Sequence, residues 1–250
     1  MKNFLLTTFA IIFIVGISKS QSDTMYIYKS GAVVNKYAVS TIDSIIFYKA
    51  VPRLMDIDGN TYPIVTIGSQ VWMAENLRVM HYSDGSPVST TTSVFDNNNT
   101  NLSTYGLLYD WATAMKGAAS SATNPSNVRG ICPAGWHLPS EEEWIQLEIY
   151  LGMNASVARN TTGMRGTNQG TLLQVGGSTG FNAVLGGYYL YNHNIAVNGF
   201  MRMNLTGYYW SSTTIGFDSA NSRAFTSGEG GVQKMSNNLN DLVSVRCVKD

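Results

Sequence analysis

The run GICPAGWHLPSEEEW, Gly130 to Trp144, gathers a cysteine, a histidine and three consecutive glutamates within fifteen residues. Those residue types build metal sites and acid–base sites, so the run asks to be read first as chemistry. Spacing argues against it. Ser140 and Glu143 form the S-x-x-E pattern of a capping box, in which the serine oxygen accepts an orphan backbone N–H and the glutamate reaches back to the cap. Glu141 and Glu142 then place negative charge at the positive end of a helix dipole. Trp144, Leu147 and Leu151 fall at i, i+3 and i+7 on one face, and Gly152 stops the helix. His137, between Trp136 and Leu138, is expected to be a satisfied structural residue.

The other chemical motifs are weaker. Gly176-Gly177-Ser178-Thr179-Gly180 matches the G-x-S-x-G nucleophile elbow, but strand-like FNAVLGGYYLY follows it where a helix is needed. His193 is the only later histidine, and no acid lies between. The three histidines, His81, His137 and His193, are far apart and form no H-E-x-x-H pattern. Asp56-Ile57-Asp58-Gly59-Asn60 is similar to the start of a calcium loop, yet Ile67 stands where the twelfth-position glutamate belongs, and a hairpin turn explains it better. No catalytic set, cofactor site or metal site is therefore expected. An enzyme remains an alternative, with Glu75 or Asp110 as its acid in a loop-lined cleft.

The aromatic clusters are the better candidates. Tyr188-Tyr189-Leu190-Tyr191 and Tyr208-Tyr209-Trp210 read as strands, where alternate rings point to opposite faces. Tyr208 and Trp210 share one face and Tyr209 takes the other. One set is expected in the core, and the other offers a platform for sugar rings or peptide. Tyr188, Tyr191, Tyr208 and Trp210 are the ligand-binding candidates.

The elements that must carry these residues are short. Asp58-Gly59 fits a two-residue primed turn between LMDI and NTYPIVTI. Tyr105 to Met115 reads as a short helix ending near Lys116-Gly117, and long polar loops run from His81 to Thr104 and from Ala118 to Arg129. The last hundred residues read as strands, including TGYYWSSTT, SRAFTS and DLVSVRCVKD, the last with Val243, Val245 and Cys247 on one face. Ahead of all this, Met25 to Lys49 reads as short strands around a turn at Ser30-Gly31, with SIIFY as a second apolar run and Lys49 to Arg53 as the joint.

Bulk composition narrows the partners. Lys plus Arg and Asp plus Glu both total 16, with no block of like charge, which argues against a nucleic-acid partner. Lys2, the apolar run Phe4 to Ile17 and Ser18-Lys19-Ser20 make residues 1–20 a signal peptide, with no membrane span after its removal. An exported chain with two cysteines, Cys132 and Cys247, is expected to join them, the alternative being two buried thiols.

Six phrases in order resemble one family: DIDGNTYPIVTIGSQVWMAENLRV, YGLLYDW, GICPAGWHLPSEEEW, GFNAVLGGYY, GYYWSST and SVRCVKD. Residues 54–250 resemble the Fibrobacter succinogenes major paralogous domain, found in secreted and surface proteins of the Bacteroidetes–Fibrobacter group. Residues 21–50 resemble a short module placed before such domains. The resemblance implies an α+β, C-type-lectin-like fold with two short helices, antiparallel hairpins and long loops, distantly similar to formylglycine-generating enzymes. In lectins a disulfide joins the helix-entry region to the last strand, which fits Cys132 and Cys247. The lectin E-P-N and W-N-D motifs are missing, with YWSST near where W-N-D would fall, and the enzymes' catalytic cysteine pair has no counterpart if both cysteines are bridged. The implied function is an exported, non-catalytic binding or adhesion module for glycan or surface protein. A structural component of the cell envelope is the alternative.

Overall fold

A computed structural model describes residues 23–45, 52–88, 92–160, 162–191 and 199–250. The expected signal peptide, residues 1–20, the end of SIIFY and most of the 49–53 joint lie outside the described residues. The chain forms two units, residues 1–50 and 51–250.

In the first unit, β1 (Thr24–Lys29) and β2 (Ala32–Ala38) form an antiparallel hairpin in which Lys29 opposes Ala32. Ser30 and Gly31 both take positive φ, 52° and 79°, the primed turn that matches strand twist. This is the turn expected from the sequence. Tyr26, Tyr28, Val33, Val34 and Tyr37 are all exposed on it.

The second unit mixes short helices with two sheets. Its strands are β3 (Arg53–Met55), β4 (Thr61–Ile67), β5 (Gln70–Met73), β6 (Leu108–Tyr109), β7 (Trp136–His137), β8 (Gly163–Arg165), β9 (Gly186–Leu190), β10 (Gly199–Met203), β11 (Thr206–Ile215), β12 (Ser219–Thr226), β13 (Val232–Asn238), β14 (Val243–Ser244) and β15 (Val248–Lys249). The helices are α1 (Leu102–Tyr105), α2 (Trp111–Met115), α3 (Glu141–Tyr150), α4 (Ala155–Asn160) and α5 (Gln169–Leu173). The larger sheet runs β10-β9-β11-β12-β13-β8, with β14 joining β11 to β6; the smaller runs β3-β4-β5-β15-β7.

Two local expectations change. The single helix over Tyr105 to Met115 is split: Gly106 takes φ +72°, Leu108–Tyr109 pair with β14, and Asp110 starts α2 by accepting the Thr113 N–H at 2.7 Å. A side chain able to cap its own backbone ends one element and begins another. The β3–β4 turn is longer than two residues. Asp56 N–H donates to the Asn60 carbonyl, Gly59 alone has positive φ (80°), and the Asp56 carboxylate accepts from Asp58 N–H, Asn60 and Tyr62 Oη. That is a three-residue loop with glycine at its left-handed position.

β11 is sandwiched. Tyr208 and Trp210 enter one buried cluster, with Tyr109, Trp111, Val243 and Val245. Tyr209 enters the other, with Trp72, Trp144, Phe181 and Phe225. The Trp72 and Trp144 rings lie 4.7 Å apart, and Phe181 meets both edge-on. The Cys132–Cys247 disulfide, Cα atoms 6.0 Å apart, joins the run before β7 to the residue before β15.

The capping box at α3 forms as the sequence predicts, with Ser140 Oγ accepting the Glu143 N–H and Glu143 Oε2 accepting the Ser140 N–H at 2.9 Å. Glu141 does more than charge the helix end. It turns into the protein and pairs with Arg223 and Lys234, both at 2.7 Å. Glu148, fully buried, holds Arg223 and Arg165, each at 2.6 Å. Burial pushes the Glu141 carboxyl up, but Arg223 and Lys234 outweigh it and hold it at about 2.

Candidate functional site

The aromatic candidates come together only in part. β9 runs between β10 and β11, facing Met201 with Tyr188 and Phe200 with Tyr189. Gly187 takes φ +67°, and a Cβ there would collide with the Met201 carbonyl, so glycine lets β10 close on β9. Arg202 also has positive φ (67°) and leaves its side chain exposed.

On this scaffold the Tyr188 and Tyr208 rings meet at a tilt of 50° with centroids 4.6 Å apart. Tyr208 is only 7% exposed and forms the floor, while Tyr188 is half-buried above it. Burial raises both phenol pKa values, and the Arg202 charge opposes the rise in each, so both hydroxyls remain neutral donors near pH 7. Tyr191, 37% exposed, is held at the end of β9 by its backbone N–H, which donates to Asp241 at 2.9 Å.

Trp210 does not join this face. It is completely buried and its Nε1–H donates to the Tyr109 carbonyl at 2.8 Å, so it has no surface to offer a ligand. The alternation along β11 is as expected, but clusters cover both of its faces.

Sequence reasoning missed Phe200 and Arg202. Phe200 packs on Tyr189 and Phe95, each at 5.0 Å. The apolar Phe200-Met201 pair just after Asn198-Gly199 was the available signal for this strand.

The remaining motifs have other work. Glu75 pairs with Arg78 at 3.0 Å, and Asp110 caps α2. Gly176 to Gly180 follows α5 as turns and bends, with no strand–turn–helix around Ser178. His137 is buried and bonded through both ring nitrogens; His193 lies outside the described residues. Among the described residues, no group of three or more His, Cys, Asp or Glu is gathered to hold a metal. No helix among them is long and apolar enough to cross a membrane.

No curated protein and no solved structure matches the chain. The model of the Fibrobacter succinogenes major domain matches residues 65–249, nearly the whole second unit including β9, β11, the α3 cap and both cysteines. The chain belongs to the Fibrobacter succinogenes major domain family.

Proposed function

We propose that this chain is an exported, non-catalytic binding or adhesion module of the cell surface, recognising glycan or protein through the aromatic face of β9 and β10. The observation that carries the reading is the tilted contact of Tyr188 with Tyr208, in which a buried ring underlies one that is half-buried at the surface. Arg202, exposed and close enough for its charge to act on both phenols, adds a cationic group, and we take Tyr191, just past the end of β9, as a further contact. Such a surface loses little side-chain entropy on binding.

Export rests on residues 1–20 and agrees with a disulfide, which persists in oxidising compartments. A C-type-lectin-like arrangement is part of the same proposal. It is supported by the bridge between the entry to α3 and the last strand segment, and by the antiparallel β11–β12–β13 set.

The test is a glycan array together with a cell-attachment assay on wild type and on Tyr188→Ala and Tyr191→Ala. Binding that both variants lose supports the reading. Binding that neither variant alters, or no binding and no attachment at all, overturns it.

A second reading has its own observation. The β1–β2 hairpin has only two strands and exposes aromatic and branched side chains, so an assembly role by strand addition is favoured for that unit. Deleting residues 23–45 would then abolish higher-order assembly while the second unit keeps its melting temperature.

A further inference from the structure

One concavity includes no residue of the aromatic face in its lining. It holds about 220 Å³ between the β3–β4 turn, the strand-free stretch 79–83 and the residues around the disulfide. Ile57, Val79, Ile131 and Pro133 make its walls apolar, and His81 and Ser83 supply the polar edge. The volume is below the roughly 300–1,000 Å³ of drug-sized sites, which suits a single small ring.

The polar edge is held in place by Asp58. Asp58 Oδ1 lies 2.6 Å from His81 Nδ1, while Oδ2 accepts the backbone N–H of Met80 at 2.6 Å and of His81 at 3.2 Å. Burial is the largest single influence and pushes the Asp58 carboxyl up, but the bonds from Met80 and His81 together outweigh it and hold it below its ordinary value, so it is an ionised acceptor. An acceptor-only partner places a proton on Nδ1, which leaves Nε2 as the ring atom that can meet a ligand hydroxyl. The link to Asp58 needs only Nδ1. Among the described residues nothing bonds Nε2, and the side chain is half-exposed.

The occupant must therefore hydrogen-bond Nε2 with a group that can donate or accept, meet a serine hydroxyl and lay an apolar surface on aliphatic walls. The carboxylates of Asp56 and Asp58 beside the groove disfavour an anion. We propose that this groove binds a neutral pyranose ring. One hydroxyl hydrogen-bonds His81 Nε2, another pairs with Ser83, and the C–H face of the sugar rests on Ile57 and Pro133. The site is separate from the β9–β10 face and does not depend on it.

The test is NMR titration of the full chain with the methyl glycosides of glucose, galactose and mannose and with N-acetylglucosamine, in parallel with cello- and chito-oligosaccharides. At least one sugar is expected to move the His81 Nε2 resonance together with the Val79 and Ile131 methyls. His81→Asn keeps a donor to Asp58 at the Nδ1 position and removes Nε2. It should keep the wild-type melting temperature and weaken binding about tenfold or more, the effect of losing one ligand hydrogen bond. Ser83→Ala, on an exposed turn, should weaken binding in the same direction and supplies the test if His81→Asn fails to fold. Tighter binding of the oligosaccharides identifies a chain end as the source of the ring, and equal binding identifies a free sugar. The proposal is overturned if no sugar moves the groove resonances, if His81→Asn folds and binds like wild type, or if, where it does not fold, Ser83→Ala does so. Shifts confined to Tyr188 and Tyr191 overturn it too and leave the aromatic face standing; shifts confined to the groove do the opposite.

Discussion

His137 sits between two carboxylates, with Nε2 2.6 Å from Glu143 Oε1 and Nδ1 2.8 Å from Asp250 Oδ1. A carboxylate can only accept, so satisfying both contacts requires the doubly protonated, cationic ring. Burial pushes the His137 pKa down, but the bonds to Glu143 and Asp250 outweigh it and raise it above the ordinary value. Glu143 also completes the α3 capping box, so Glu143 ties helix entry to His137 on β7, and His137 in turn holds Asp250 at the end of the chain.

Stability should follow this proton. A histidine whose folded pKa exceeds its unfolded value of about 6.5 contributes fully below that value and loses the contribution as pH rises through the folded pKa. Urea denaturation from mildly acidic to mildly alkaline pH should show wild type losing stability over that window. His137→Gln should lie lower at acidic pH and lose the slope; an unchanged slope in the variant would remove His137 as its cause.

Replacing both cysteines by serine should cost about 3–5 kcal/mol in the chain-entropy model, because the bridge spans 115 residues. Chemical denaturation of the double variant measures this. Mass mapping under non-reducing conditions should find Cys132 and Cys247 in one linked peptide.

Glu148 neutralises two buried arginines at once. Glu148→Gln should destabilise by about 3–5 kcal/mol, since Arg165 loses its carboxylate and Arg223 keeps only Glu141. Arg159→Ala breaks the exposed pair with Glu142 and should cost under about 1 kcal/mol. Equal effects in the two variants would contradict the burial argument.

Trp210→Ala should cost about 3–5 kcal/mol through the cavity it leaves. Tyr191→Ala, at the exposed end of β9, should change the melting temperature little and act on ligand binding instead. Differential scanning calorimetry alongside the attachment assay separates the two.

Local signals in the sequence survived folding where a few adjacent residues decide the outcome. The Ser140 box, the Ser30-Gly31 turn and the strand character of Thr206 to Ile215 all carry their own physics. What was illegible depends on partners distant in the chain. Arg223 sits in a strand that reads as ordinary SRAFTS, yet it is fully buried because Glu141 and Glu148 meet it from α3. Arg246 alternates with Val245 and Cys247 as a solvent-facing residue would, but it is buried. Its guanidinium lies 4.5 Å from the Phe181 ring centroid and donates to Asn76 and to the Phe181 and Asn182 carbonyls. Trp210 was misjudged for the same reason: period-two alternation tells which side a ring takes, not whether that side is covered.

The bridge between Cys132 and Cys247 has a further effect on a damaged molecule. Everything from α3 to β14 lies on a closed covalent ring. A protease that cuts once within that ring, for example at the exposed Phe217, generates two fragments that cannot separate until the bridge is reduced. A nicked molecule would run as one band without reductant and as two with it, and could stay assembled on its β11–β12 pairing after the backbone is broken.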